Sequence, residues 1–365
     1  MMAIIGGTVR QRMRFVMIGV ALLLNATGSS ARAQGTVVVG PTPSPALLIL
    51  SKADRVLSIV DPATRTIVAQ VSAGPDPHEV VASAAGRFAY ISNYGGGAYN
   101  TITVVDLVHQ SALPAIDLGP LRGPHGLEYA GGKVWFTAEV AKAIGSYDPS
   151  THKIDWVLGT GQNRTHMIAV SPTLRRIVTT NVSSGSVTII EPSRGQPRGP
   201  GAPSTSATGP PPAPRSDWDE TVVPVGNGAE GFDVSGDGNE AWVANAQDGT
   251  ISIVDLANKR VVQTLAADVR GANRLKFTPD GTLAFVSMLG GPDLVVLRVA
   301  TRSVIKRVPV GHGAAGILMD PDGGRAYVAC TPDNDVAIID VKSLSVIGRI
   351  AAGKQPDGLA WAIRR

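Results

Sequence analysis

Three histidines sit at spacings that could assemble one site. His78, His125 and His166 follow one another at intervals of 47 and 41 residues, and each opens a short apolar run after a glycine-containing turn. Four further runs of the same form open on Glu230, Asn273, Ala315 and Asp357. If these seven positions are equivalent, the imidazoles are neighbours on a ring, flanked by Asp357 on one side and Glu230 on the other. Three neutral imidazoles with a position left open suit a catalytic divalent transition-metal site, for Zn, Cu or Fe, better than a site for Ca or Mg, which prefer oxygen ligands. Glu230 and Asp357 could ligate, serve as general base, or hold a ring N–H.

The elements that must position these residues follow from a repeat. A β-rich stretch ends on Asp61, Asp106, Asp148, Glu191, Asp255, Arg298 and Asp340, at spacings of 45, 42, 43, 64, 43 and 42 residues. A period of about 40–45 residues with several short strands in each is the signature of a β-propeller blade. One repeat reads as an apolar strand Ile317–Met319, a turn at Asp320-Pro321-Asp322-Gly323, an aromatic-containing strand Arg325–Ala329, then the strands Val336–Asp340 and Ser345–Ile350. Runs of β-branched and aromatic residues bounded by Asp, Pro and Gly are strands joined by tight turns. The run Asp357–Ile363 is a first strand with nothing after it, and Ala46–Leu50 is a second strand with nothing before it. Pairing the two within one shared blade closes the ring and removes its open edges. The expectation is an all-β, seven-bladed propeller of four-stranded blades spanning residues 46–365. The histidine slot lies at the start of the innermost strand.

Residues 1–33 read as a signal peptide. Arg10, Arg12 and Arg14 precede the apolar run Phe15–Leu24, and Ala31-Arg32-Ala33 forms a cleavage site, so the mature chain begins at Gln34 with a tail to residue 45. The apolar run is too short to cross a bilayer, and the expected location is periplasmic or secreted. The leader holds four Arg, no Lys and no acid. The remainder therefore balances 29 basic residues against 29 acidic ones, out of 33 and 29 in the whole chain. Without a basic surplus, the composition does not favour nucleic acid as a partner. Cys330 is the single cysteine, so no internal disulfide supports the fold. The long interval is explained by residues 193–217, a Pro, Gly, Ser and Thr-rich insertion between the third and fourth strands of its blade. It reads as a disordered loop on the face opposite the histidines.

The second-strand ends read Tyr90-Ile91-Ser92-Asn93, Val178-Thr179-Thr180-Asn181, Trp242-Val243-Ala244-Asn245 and Tyr327-Val328-Ala329-Cys330. The third strands include Thr101–Asp106 and Ser252–Asp255. Together they resemble the YVTN-type β-propeller repeats of exported bacterial proteins over nearly all of residues 46–363. That resemblance implies the fold, while the family spans binding proteins and relatives of enzymes. Gly123-Pro124-His125-Gly126 is similar to repeats of the streptogramin lyases, seven-bladed proteins that use His and Glu with a divalent metal; their catalytic residues do not map onto this chain one by one.

Further candidates come from the loops at the same mouth. Glu139 is read as standing where sister blades have Asn93, Asn181 and Asn245, beside the histidine slot, as a third acid/base or orienting candidate. The three Asn are candidate substrate contacts or turn-forming residues. Arg122, Arg164 and Arg270, with Lys354 and His312 nearby, could receive an anionic substrate through planar donors or could simply be solvated. His109 and His152 fall on the other side. There is no phosphate-binding glycine loop, no G-x-S-x-G and no H-E-x-x-H, and no nucleotide cofactor is expected. Two readings stay open. One is a monomeric metal-dependent lyase or hydrolase, with an oxygenase next. The other is a metal-free polar funnel that binds a peptide, glycan or protein without catalysis.

Overall fold

The computed structural model describes residues 37–38, 40–193 and 217–364. The proposed leader and nearly all of the insertion lie outside the described residues. Seven antiparallel sheets, each built around four strands, make up a seven-bladed β-propeller. Blade I contains Pro77–Ala82, Phe88–Asn93, Thr101–Asp106 and Ser111–Asp117 from the axis outward. Blades II to VI follow at residues 124–159, 165–224, 229–266, 272–309 and 314–351. Blade VII takes its innermost strand, Pro356–Ala362, from the end of the chain and its other three, Ala46–Ser51, Val56–Asp61 and Thr66–Ser72, from the beginning. Leu48 faces Ala360 across this junction and Leu47 faces Trp361, so the ring closes as the repeat count requires. The short strand Val37–Val38 adds a fifth strand to the outside of blade VII.

Burial explains the choice of residues. Ala46–Ser51 is buried at every position, because blade VI covers one face and blade I the other. Outer strands such as Lys153–Gly159 alternate exposed and half-buried residues instead, as a strand with one wet face does. The insertion leaves its blade intact: Ser193 N–H donates to Asp217 C=O at 2.8 Å, where the third and fourth strands separate.

Two features of the innermost strands place the site. In every blade the pairing of the first strand with the second slips near the entrance, as between Pro77 and Val80 or Thr165 and Ile168. Such irregularities re-aim side chains at a sheet edge, and the slot residue sits within the slip. The position after the slot is glycine in four blades because the next blade leaves no room for more. A Cβ on Gly126 would stand 2.5 Å from His166 C=O, and one on Gly358 2.4 Å from His78 C=O. The penultimate residue of the second strand then fixes the neighbouring slot. Thr137 Oγ1 donates to His166 C=O at 2.7 Å, Thr180 Oγ1 to Glu230 C=O at 2.8 Å and Ser287 Oγ to Ala315 C=O at 2.6 Å.

Candidate metal centre at the channel mouth

This frame brings the slot residues of adjacent blades into contact. The His125 and His166 rings lie 3.8 Å apart between centroids, and His78 lies 5.1 Å from His125. Tyr94 packs edge-on against both His78 and His125, at 5.0 Å from each. His125, His166 and Glu139 are all buried, and one ligand atom from each falls within 4.8 Å of the others. Glu139 therefore replaces His78 in the trio expected from the repeat. His78 is instead tied by Nδ1 to Asp76 C=O at 3.2 Å.

Glu139 is the hub of the cluster. One carboxylate oxygen is hydrogen-bonded to His166 Nδ1, and the other accepts from Tyr94 OH at 2.5 Å. Arg164 Nε stands 3.6 Å away. On the other side of His166, Glu230 Oε1 lies 2.9 Å from Nε2, but off the line of an N–H···O bond, so that buried nitrogen has no hydrogen-bond partner. His125 Nδ1 is also buried without one. Burial by itself favours a neutral His166, but Glu230 and Glu139 outweigh it and raise the imidazole to about 9. Burial works against the Glu230 carboxylate too, and His166, Arg274 and Arg164 overcome it, lowering Glu230 to about 2. Glu139 is lowered in the same way, chiefly by His166. His125 moves the other way. Burial, then the proximity of His166 and His78, hold it well below its ordinary range and therefore neutral.

Two adjacent buried imidazoles beside a carboxylate, with His125 Nδ1 unpartnered, fit a transition metal held by three protein ligands. Protonated His166 cannot ligate, so loading such a site means releasing a proton.

The remaining expected residues divide. Glu230 and Arg164 belong to the cluster. Asp357 is buried at the same mouth but neutralised by Lys52 at 3.0 Å, and it is not one of the three grouped residues. Arg122 and Arg270 are exposed on the rim, where their guanidinium groups donate to Ala98 C=O and Gln247 C=O, each at 2.5 Å. His312 is exposed and paired with Asp333 at 3.0 Å.

Asn93, Asn181 and Asn245 are corrected from candidate substrate contacts to structural residues. All three are wholly buried, and their amides bind within the fold: Asn93 to Ala73 C=O and Thr103, Asn181 to Ser186 and Thr188, Asn245 to Thr250 and Ser252. The equivalence of Glu139 with these Asn is also corrected, by one residue. Ala138 pairs with Pro124 as Asn93 pairs with Pro77 and Asn245 with Ala229. Among the true counterparts of Glu139, one residue past the second strand, Tyr94 and Lys52 reach slot residues. Sequence reasoning missed those two, together with Glu79 and Arg274. The last two follow the slot where four sister blades have glycine, a signal that was legible.

No family model matches this chain, and no curated protein matches it in sequence. Solved structures do match in fold. A protein of unknown function from Desulfotomaculum acetoxidans superposes with a TM-score of 0.69 at 13% identity, over 88% of this chain and 100% of that one. A candidate 6-phosphogluconolactonase from Bacteroides fragilis gives 0.68 at 15%, over 87% and 98%. The dihydro-heme d1 dehydrogenase NirN gives 0.58 at 13%, over 86% and 67%. At these identities the likeness establishes the seven-bladed fold and nothing about chemistry.

Proposed function

We propose that this chain is an exported propeller that holds a divalent transition metal, Zn, Cu or Fe, through His125, His166 and Glu139 and catalyses hydrolysis or elimination on a small anionic substrate. The single observation behind this reading is the buried His125–Glu139–His166 group, with one ligand atom from each within 4.8 Å of the others and His125 Nδ1 left without a partner. The metal would supply Lewis acidity and an activated water. Glu230, 2.9 Å from His166 Nε2, is the candidate to take and return a proton: it is held at about 2 chiefly by the His166 charge, and metal loading, by removing that charge, would make it a stronger base. Tyr94 orients Glu139 through its hydroxyl, and Arg164, 45% exposed, supplies positive charge at the entrance. The lactonase name of one structural neighbour agrees with hydrolytic chemistry and adds no residue to the argument. Among the described residues no helix is long and apolar enough to cross a membrane.

Elemental analysis of protein purified without a histidine tag tests the reading. The expected result is about one equivalent of metal, lost in His125→Ala and Glu139→Gln and kept in Glu230→Gln. A cobalt-substituted sample should show ligand-field absorption bands that vanish in the first two variants. Preparations that stay metal-free when offered Zn, Cu, Fe and Co would overturn it.

A second reading has its own observation: His166, protonated between Glu139 and Glu230, completes a charge-paired cluster without any ion. The mouth would then be a metal-free polar funnel that binds a peptide or glycan.

A further inference from the structure

Beyond the histidine mouth, the innermost strands enclose a cavity of about 320 Å³ on the propeller axis, lined by residues from all seven blades. The three acids on its wall are Glu79, Glu128 and Asp233, and the two cations are Arg274 and Lys276. Arg274 of blade V reaches across the channel to Glu79 of blade I, and Lys276 Nζ lies 3.4 Å from Asp233. That leaves Glu128, which has neither hydrogen bond nor ion pair among the described residues. The rest of the lining is apolar and partly aromatic, including Tyr129, Phe232, Leu318 and Trp361. The indole N–H of Trp361 already donates to Met319 C=O at 2.8 Å, so its ring is what it offers the cavity.

We propose that this cavity is a second binding site, for a single small organic ammonium ion, with Glu128 as its counter-charge. The volume lies at the lower end of the range for small-molecule sites, which admits one compact ligand. With all three acids ionised, three carboxylates against two cations leave the cavity with one negative charge in excess, which one ammonium ion would balance. A carboxylate facing an aromatic and aliphatic wall is the combination that recognises a protonated amine, by ion pairing at the head and by cation–π and apolar contact along the body. An anion is disfavoured because both cations are already paired. A hard metal ion is disfavoured because one free carboxylate is far short of its oxygen shell. Burial, the leading influence on Glu128, raises its carboxyl to about 7 against the opposing pull of Lys276, so it is largely ionised at pH 7.5. The inference does not depend on the metal reading, because Glu128 touches none of the three proposed ligands.

The test is calorimetric titration of the full chain at pH 7.5 with benzylammonium, benzyl alcohol and benzoate. The expected result is one site for the ammonium, with the alcohol and the acid binding at least tenfold more weakly. Glu128→Gln should lose at least tenfold in affinity, while Glu128→Asp, which keeps the charge, should retain binding to within about tenfold. His125→Ala should bind as the parent does, which separates failure here from failure at the mouth. Binding should also change tryptophan fluorescence, and Trp361→Phe should remove that change. Absence of ammonium binding at millimolar concentration, or equal binding by the alcohol or by Glu128→Gln, overturns the proposal. Should Glu128→Gln fold poorly, the ammonium-to-alcohol ratio in the parent and the Glu128→Asp affinity decide alone.

Discussion

Blades II and III share one backbone plan with blades V and VI, yet only the first pair presents imidazoles at the mouth. In both arcs a second-strand hydroxyl holds the next slot's carbonyl: Thr137 on His166 at 2.7 Å and Ser287 on Ala315 at 2.6 Å. The pairing slips at the same place in each. The slot side chains are His125 and His166 in one arc, Asn273 and Ala315 in the other. The residue after the second strand is Glu139 in one and Leu289 in the other. Since Ala315 occupies the same frame in blade VI, nothing in the architecture demands histidine or glutamate. The histidine arc is carried by the fold, and burying its acids and imidazoles has a cost; the other arc buries one charge beside its slots, Arg274, and pairs it with Glu79.

The comparison can be broken first at the frame common to both arcs. Deleting residues 357–365 uncovers Ala46–Ser51 on one side. Burying Leu47, Leu48, Ile49 and Leu50 contributes on the order of 6–12 kcal/mol as an upper bound, and a large part of that is forfeited. Aggregation, or loss of the cooperative unfolding transition in calorimetry, is expected, and a melting curve like the parent's would disprove closure by these strands.

A smaller effect separates the arcs directly. His166→Ala leaves Glu139 and Glu230 buried with their shared cation gone, which should destabilise by about 3–5 kcal/mol. Asn273→Ala in the other arc removes a side chain whose buried oxygen has no partner, and should cost under about 1 kcal/mol. Chemical denaturation of both variants measures the difference, and equal losses would mean that the arcs are energetically alike.

The histidine arc should also carry the pH dependence. In metal-free protein His166 sits at about 9, above the 6.5 of an unfolded histidine. Its stabilisation is therefore complete below pH 6.5 and lost as pH rises through 9. Glu230, near 2 against 4.5, stabilises above pH 4.5 and loses that contribution as pH falls through 2. Neutral, buried His125 acts oppositely to His166 on the acid side, favouring unfolding as pH drops below 6.5. The parent-minus-His166→Gln stability difference isolates the first term and should shrink steadily between pH 6.5 and 9. A difference that is flat across that window would show that His166 is not charged. Metal affinity should run the other way and rise with pH, because ligation requires His166 to give up its proton.

The smallest expected effect is at the rim. Arg164 is 45% exposed and 3.6 Å from Glu139, so Arg164→Gln should change stability by less than about 1 kcal/mol. A larger loss would show that the Arg164–Glu139 pair is not screened by solvent.

By itself the sequence determined the period, the number of blades, the shared closing blade and the equivalence of seven slots. Each of those is written in residues that recur at a fixed local spacing: strand alternation, turn glycines and the acid at the end of the third strand. The neighbourhood of His78, His125 and His166 was legible for the same reason. Tertiary structure alone decided which groups meet. Glu139 reaches His166 from the blade before it, Tyr94 spans to Glu139, and Arg274 crosses the channel to Glu79, 195 residues away. These contacts depend on the slip in each innermost strand and on how side chains lean across blade boundaries. A repeat aligned by eye can miss that by one residue, as it did in equating Glu139 with Asn93. In a β-strand a one-residue shift turns a side chain to the opposite face, which here separates a buried amide that supports a turn from a carboxylate that organises the site.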